Sequence, residues 1–343
     1  MTGRKKWADE VRVENPGRIT PGAVSFLKRC VAPITRILYR PTLDGIRNLP
    51  EEGPFLLVGN HSAGMGMAEI LSFSVKYIEQ AGHERPLAGF ALPAGFHFSP
   101  LSAVLRCLGA IPSTYAAAEE TLAMGIPILV FPGGDHESLR SIRHANKVDF
   151  GGRLGFLRIA RAAQVPIVPM GIRGSHFTAP VLFRSRILAD LLVLPRCFGI
   201  KRWGISVLGL LGAGVITVFL PLPWIVRALL VWLWLGTPFV FLPWIPWKIR
   251  MRIGKPLFPE DLFDSRGKPS DKPSGKRGGG YDGSGGEGGS GGERGSGGGG
   301  KDGDGKAGRA KDSDGKDADL LNALRIVETA VQALVDKGRS AGK

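Results

Sequence analysis

The chain has 343 residues, with 45 Lys and Arg against 30 Asp and Glu, a formal net charge of +15 and a pI near 10.0. That length can bury a full α/β core and carry appendages, and the charge suits an anionic partner. The composition argues against two classes. Many aromatic residues sit in one apolar block, Trp203 to Trp247, rather than alternating with basic residues as on a nucleic-acid platform. Cys30, Cys107 and Cys197 are scattered, without metal-ligand or disulfide-framework spacing, so a reducing compartment is expected.

Residues 1–48 form a basic N-terminal segment. Its first stretch, Met1 to Asn15, is charged and lacks the apolar run of a cleavable secretory leader. Between Pro21 and Arg40, Val24, Leu27, Val31, Ile34 and Leu38 recur at helical spacing among Lys28, Arg29, Arg36 and Arg40. The pattern predicts an amphipathic helix, weakened at Pro33, that packs on its own domain or lies on an anionic surface.

Strand-like runs come next, at Phe55–Val58, Leu87–Leu92, Gly109–Ile111, Ile126–Phe131 and Val165–Met170. Helical stretches at Glu69–Ala81, Pro100–Leu108, Ala116–Met124 and Gly155–Ala163 alternate with them. Alternation of this kind predicts an α/β domain, a mostly parallel sheet with flanking helices, over residues 49–202. A late strand within 248–263 is expected to return to it.

Residues 203–247 are nearly uncharged but broken by Pro221, Pro223, Pro238, Pro243 and Pro246. Each half approaches the length of a membrane span and carries interfacial tryptophans, so a membrane hairpin or re-entrant pair is expected, or else a helical cap over a lipid tunnel. Residues 264–319 are rich in Gly, Ser, Lys and Asp and are predicted to be a disordered tether. In 320–343, Leu320, Leu324, Val327, Val331 and Leu334 mark an amphipathic helix that docks back on the domain.

The residues that could carry chemistry stand at predicted strand ends. The first apolar run stops at Gly59-Asn60-His61-Ser62, which sets a histidine where α/β sheets present reactive groups. Gly109-Ala110-Ile111-Pro112, Phe131-Pro132-Gly133-Gly134 and Val165-Pro166-Ile167-Val168-Pro169 close or form later strands. Glycines after a strand admit a ligand close to the backbone and can turn N–H groups toward a developing oxyanion. Asp135, His136 and Glu137, consecutive after Gly-Gly, read as a helix start rather than a metal site. Arg140, Arg143, Lys147 and Arg153 suit either donor phosphates or a solvated face, and His176 stands just after another strand end.

In this order and spacing the four blocks resemble the PlsC-like glycerolipid acyltransferase superfamily over about Asn48 to His176. The nearest likeness is to its mono- and diacylglycerol acyltransferase-like branch, which often shows Phe-Pro-Gly-Gly before a stretch like Lys147 to Phe156. The resemblance implies that His61 is the general base. The family's acidic position, five after the histidine, holds Gly66, so Glu69, eight after it, is the expected substitute. Gly133 stands where a Glu is more common. Ser113-Thr114-Tyr115 lacks the arginine that phosphate-acceptor members tend to carry, which favours a neutral glyceride.

The resemblance implies a membrane-associated O-acyltransferase. His61, oriented by Glu69, deprotonates a glyceride hydroxyl as it attacks an acyl thioester. Asn60, Ser62, Phe131, Pro132, Gly133, Gly134 and Arg140 line the substrates, and N–H groups of the Phe131–Gly134 turn hold the oxyanion. Acyl-CoA or an acyl-carrier protein is the donor, and no metal or other cofactor is implied. The expected partners are membrane lipids and the acceptor glyceride, with no nucleic acid, and the expected location is a membrane with the site facing the cytoplasm. The alternatives are a lysophosphatidate or other lysophospholipid acyltransferase, and a catalytically impaired lipid-binding protein.

Overall fold

The computed structural model of the chain describes residues 13–62, 67–197, 199–263 and 307–340. Strands β1 (Thr42–Asp44), β2 (Leu56–Gly59), β3 (Ala88–Ala91), β4 (Ile111–Pro112), β5 (Ile128–Val130), β6 (Ile167–Arg173) and β9 (Arg250–Ile253) form one sheet, in the order β1-β9-β6-β2-β5-β3-β4. Neighbours run parallel except β6 and β9. The mostly parallel α/β domain expected from the alternation is what forms. Strand β2 takes the middle, with β5 on one side and β6 on the other. The chain leaves β2 for β3 on one flank and later reaches β6 on the other, so the C-terminal end of β2 lies where connections diverge and a crevice opens.

Alternate strand residues feed two cores. Leu56, Val58, Ile128, Val130 and Ile167 pack one way, under helices α4 (Tyr115–Ala123) and α6 (Gly155–Ala163). Phe55, Leu57, Leu129, Val168 and Met170 pack the other way, with Phe73 and Tyr77 of α2 (Met67–Ala81). Helix α1 precedes them as Pro21–Phe26, a π-helical turn Leu27–Val31, and Ala32–Leu38. The π-turn, closed by Ala32 N–H on Leu27 O, takes up the break expected at Pro33, whose ring supplies no donor. Leu27, Val31 and Ala32 pack on Val75 and Ile78 of α2, while Phe26, Ile34 and Ile37 face outward.

Helix α3 (Ser99–Cys107) flanks the β4 edge, and the short α5 (Gly134–Ser138) comes directly after β5. A second, two-stranded sheet was not expected. It is formed by β7 (Val181–Ser185) and β8 (Trp203–Ser206), paired antiparallel around α7 (Arg186–Leu191) and α8 (Leu194–Cys197). The apolar block therefore begins with a strand, because Trp203 is buried among Leu139, Val181, Val240 and Phe241, and Ile205 is buried too. Two helices succeed it, α9 (Val207–Phe219) and α10 (Trp224–Gly236), reversed at Pro221-Leu222-Pro223. Each has 13 residues, about 20 Å of helix against a hydrocarbon core of about 30 Å. Among the described residues no helix is long and apolar enough to cross a membrane, which corrects any reading of the block as two spans.

After β9 come α11 (Pro259–Leu262) and α12 (Ala307–Ser340). The expected tether falls outside the described residues over 264–306. Its last part, from Ala307, is helical instead. Once Leu320, Leu324, Val327, Val331 and Val335 are docked, the costly nucleus exists and the helix extends toward its N-terminus. Helix α12 crosses β6 at Gly171, where a Cβ would come within 2.6 Å of Leu334 Cβ, so only glycine permits that approach.

Candidate active site

Because β2 and β5 are parallel neighbours with Val58 opposite Val130, their C-terminal turns lie side by side. This brings His61 against Phe131, with ring centroids 4.8 Å apart and planes at 22°. Asn60 fixes the turn from the other flank: its Nδ2 donates to Ile172 O at 2.9 Å and its Oδ1 accepts from Ile172 N at 2.7 Å. The side chain of His61 is 13% exposed, so the ring is held yet reachable.

Glu69 enters from the first turn of α2 and is fully buried. Its Oε1 lies 2.6 Å from His61 Nδ1 and accepts from Ser62 N at 2.8 Å, and its Oε2 accepts from Ser62 Oγ at 2.8 Å. A carboxylate out of water needs such donors. Facing an acceptor, Nδ1 carries the proton, which leaves Nε2 as the nitrogen able to receive one. The eight-residue spacing thus brings the acid to the imidazole, with Gly66 outside the described residues.

A second carboxylate completes the frame. Glu137 is buried, its Oε2 accepting from His61 N at 2.9 Å and its Oε1 from Asp149 N at 3.0 Å. Burial pushes its carboxyl up to about 7, opposed by those two N–H donors and by Arg140. A Cβ on Gly133 would sit 2.2 Å from Glu137 Oε2, so the carboxylate occupies the space a side chain at 133 would need. Glu137 was expected only at a helix start, not in the site. The Gly-Gly-x-x-Glu spacing was the available signal, one helical turn from Gly133 to Glu137.

Three residues expected to line the substrates have internal partners. Asn60, Ser62 and Arg140 are buried and bonded within the protein. Ser62 Oγ also meets Ser175 Oγ, and Arg140 donates to Lys147 O and, at 3.0 Å, to Asp149 O. They hold the frame. The turn itself is narrower as an oxyanion site than expected, since Pro132 has no N–H and Gly134 N–H donates to Phe131 O at 3.2 Å. Within it, only Phe131 and Gly133 N–H groups are left for that task. Pro132 O accepts from Arg153 Nη1 at 3.2 Å, and Arg153 also pairs with Asp135.

His176 is buried behind the site, with Nδ1 accepting from Asn146 N at 3.4 Å. Burial, with Arg140 and His61 near, pushes its imidazole down to about 3, so it stays neutral. Phe131 also borders an apolar pocket of about 170 Å³ lined by Ile70, Phe73, Phe90, Leu105 and Leu129. Helix α12 reaches the same region. Glu328 Oε1 accepts from Phe150 N at 2.6 Å and Gln332 Oε1 from Val148 N at 2.8 Å, pinning the loop that presents Asp149 to Glu137.

Comparison with known proteins gives the geometry a context. Residues 40–173 match the family model described as Acyltransferase. An uncharacterized protein of Mycobacterium tuberculosis is 29% identical over 203 residues, 58% of this chain and 55% of that one. A Mycobacterium leprae counterpart, also uncharacterized, is 28% identical with 53% of its length covered. The chain thus spans about half the length of these curated relatives. A Bos taurus protein named DGAT1/2-independent enzyme synthesizing storage lipids is 32% identical over 129 residues, 37% of each chain. Among solved structures, the 1-acyl-sn-glycerophosphate acyltransferase PlsC of Thermotoga maritima aligns over 78% of this chain and 76% of its own at 16% identity, with a TM-score of 0.41.

Proposed function

We propose that this chain, whose residues 40–173 match the Acyltransferase family model, transfers a fatty acyl group from acyl-CoA or an acyl-carrier protein to the hydroxyl of a neutral glyceride at a membrane surface. The observation that carries the proposal is the 2.6 Å contact between His61 Nδ1 and Glu69 Oε1 at the end of the central strand. The carboxylate fixes the tautomer and ring orientation. His61 Nε2 takes the proton of the acceptor hydroxyl as its oxygen attacks the thioester carbonyl, and Glu69 stabilises the imidazolium that forms. The tetrahedral oxyanion is met by backbone N–H groups at Phe131 and Gly133, and its collapse expels the thiolate, which recovers a proton from His61. The apolar pocket beside Phe131 receives an acyl chain.

Membrane attachment falls to the α9–α10 hairpin. Val218, Phe219, Trp224 and Ile225 at its tip are 72%, 75%, 72% and 63% exposed. A patch of that kind marks an interaction surface, and tryptophan beside a short apolar hairpin suits shallow insertion into one leaflet.

The test is acyl transfer by purified protein in detergent from labelled acyl-CoA to monoacylglycerol, diacylglycerol, lysophosphatidate and lysophospholipids. Transfer to a neutral glyceride that is lost in a folded His61→Ala variant supports the proposal. Preference for lysophosphatidate moves it to the phosphate-bearing acceptor, and no transfer to any acceptor overturns it.

A further inference from the structure

A group of cations beside the His61 frame has fewer carboxylates than it needs. Arg153 is paired with Asp135, and Arg140 is taken up by Lys147 O, Asp149 O and, at 3.4 Å, the Asp149 carboxylate. His136 Nε2 lies 3.0 Å from Asp149 Oδ2, so this nitrogen carries the proton and Nδ1 presents its lone pair to Arg184 Nη2 at 3.3 Å. Arg184 Nη1 is buried with no hydrogen-bond partner among the described residues. Arg202 has no ion pair among the described residues.

The two-stranded sheet explains why these arginines meet. Arg184 on β7 lies opposite Gly204 on β8, and Arg202 stands immediately before β8, which begins at Trp203. The like charges act on each other: burial first, then Arg202 and Arg140, hold the Arg184 guanidinium below its usual range, with Asp149 and Asp135 opposing them only in part. Two crowded guanidiniums with an orphaned N–H call for an anion with several acceptor oxygens.

Placement narrows the anion further. His136 immediately precedes Glu137, which holds the His61 backbone, so the cluster adjoins the reactive histidine. On its other side β8 runs into α9, where Ser206 Oγ caps Gly209 N at 2.9 Å, so the cluster also sits at the base of the apolar hairpin.

The geometry points to a phosphate-binding site formed by Arg184 and Arg202, with His136 orienting Arg184, that takes a phosphate ester of an acyltransferase substrate. Both arginines lie beyond the family-matched residues 40–173. The proposed activity is needed only to name the carrier of the phosphate: the donor's nucleotide or an acceptor headgroup. The site itself is a binding claim.

The experiment is calorimetric titration of the full chain in detergent with CoA against pantetheine, and with lysophosphatidate against monoacylglycerol. Each pair differs in its phosphates. The wild type is expected to prefer the phosphate-bearing member of one pair, and Arg184→Gln and Arg202→Gln to weaken that member at least about tenfold, with the phosphate-free member unchanged. Loss confined to CoA assigns the donor, and loss confined to lysophosphatidate assigns the acceptor. A phosphate preference that survives in both variants, or no preference in the wild type, overturns the site. Should Arg184→Gln fail to fold, Arg202→Gln alone decides by the same criteria. Because no turnover is measured, a chain inactive in acyl transfer still answers the question, whereas the His61→Ala comparison tests the activity.

Discussion

The His61 frame and the α9–α10 hairpin obey opposite rules. Around His61, Glu69, Glu137 and Asn60 each make two or more hydrogen bonds within the protein. In the hairpin, polar matching is sparse: at the base Trp203 Nε1 donates to Leu235 O at 2.7 Å and Trp234 Nε1 to Gly209 O at 3.0 Å, and nearer the tip Arg227 Nη1 donates to Thr217 O at 2.5 Å. Its tip presents apolar side chains that none of the described residues covers. Matched polar groups specify one geometry, as a proton transfer requires. An uncovered apolar tip marks an interaction surface, and the partner proposed for it is lipid.

The sharpest way to break the first region is His61→Ala. Removing the base is expected to lower acyl transfer by about 10²–10⁴-fold, with circular dichroism unchanged. Residual activity near wild type would remove His61 from the mechanism. Glu69→Gln separates geometry from charge. Its amide oxygen keeps the bonds from His61 Nδ1 and Ser62 N, and its NH₂ turns to Ser62 Oγ, so only stabilisation of the imidazolium is lost. The expected drop is about 10–100-fold in kcat at little change in KM. An equal rise in KM instead would mark Glu69 as a structural group.

The second region is broken at its tip. Phe219→Asp with Ile225→Asp is expected to reduce co-sedimentation with phosphatidylcholine vesicles by at least about tenfold, while transfer to a detergent-dispersed acceptor persists. Vesicle binding that does not change would leave the hairpin without a lipid role.

One of these regions was legible in the sequence and the other only half so, for physical reasons. Apolar runs ending in Gly-Asn-His-Ser and Phe-Pro-Gly-Gly reveal strand ends, and parallel pairing then forces those ends together, so His61 beside Phe131 was legible. The pairing of His61 with Glu69 was legible only through resemblance. Glu137, Ser175 and Asp149 are brought in by tertiary contacts from 76, 113 and 12 residues away along the chain from their partners; only Glu137 left a local mark, the Gly-Gly-x-x-Glu spacing, and that spacing does not name its partner. In the apolar block, hydropathy could not tell a buried strand from the start of a span. Trp203 to Ser206 is apolar because it is core, and Val218 to Ile225 because it is uncovered.

A smaller effect probes how tightly the frame is filled. Gly133→Ala places a methyl 2.2 Å from Glu137 Oε2. The carboxylate must shift, which is expected to cost about 1–3 kcal/mol in thermal or denaturant unfolding and to lower kcat through the His61 backbone. Unaltered stability would show that Glu137 has room to move, and that it does not fix His61.

The smallest effect is a pH signature of two buried groups that oppose each other. Glu137 is raised from 4.5 to about 7 by burial, so between those values the native state binds more protons than the unfolded chain, and stability falls as pH rises. His176 is lowered from 6.5 to about 3 by burial and by Arg140 and His61. Over that window the unfolded chain binds more protons, and stability rises with pH. The windows overlap between 4.5 and 6.5, where the two slopes offset each other. Tm against pH is therefore expected to be steeper in each single variant than in the wild type: rising in Glu137→Gln, where His176 acts alone, and falling in His176→Asn, where Glu137 does. Curves for both variants that run parallel to wild type would mean that neither group is held out of its ordinary range, and that the frame behind His61 is wetter than its burial implies.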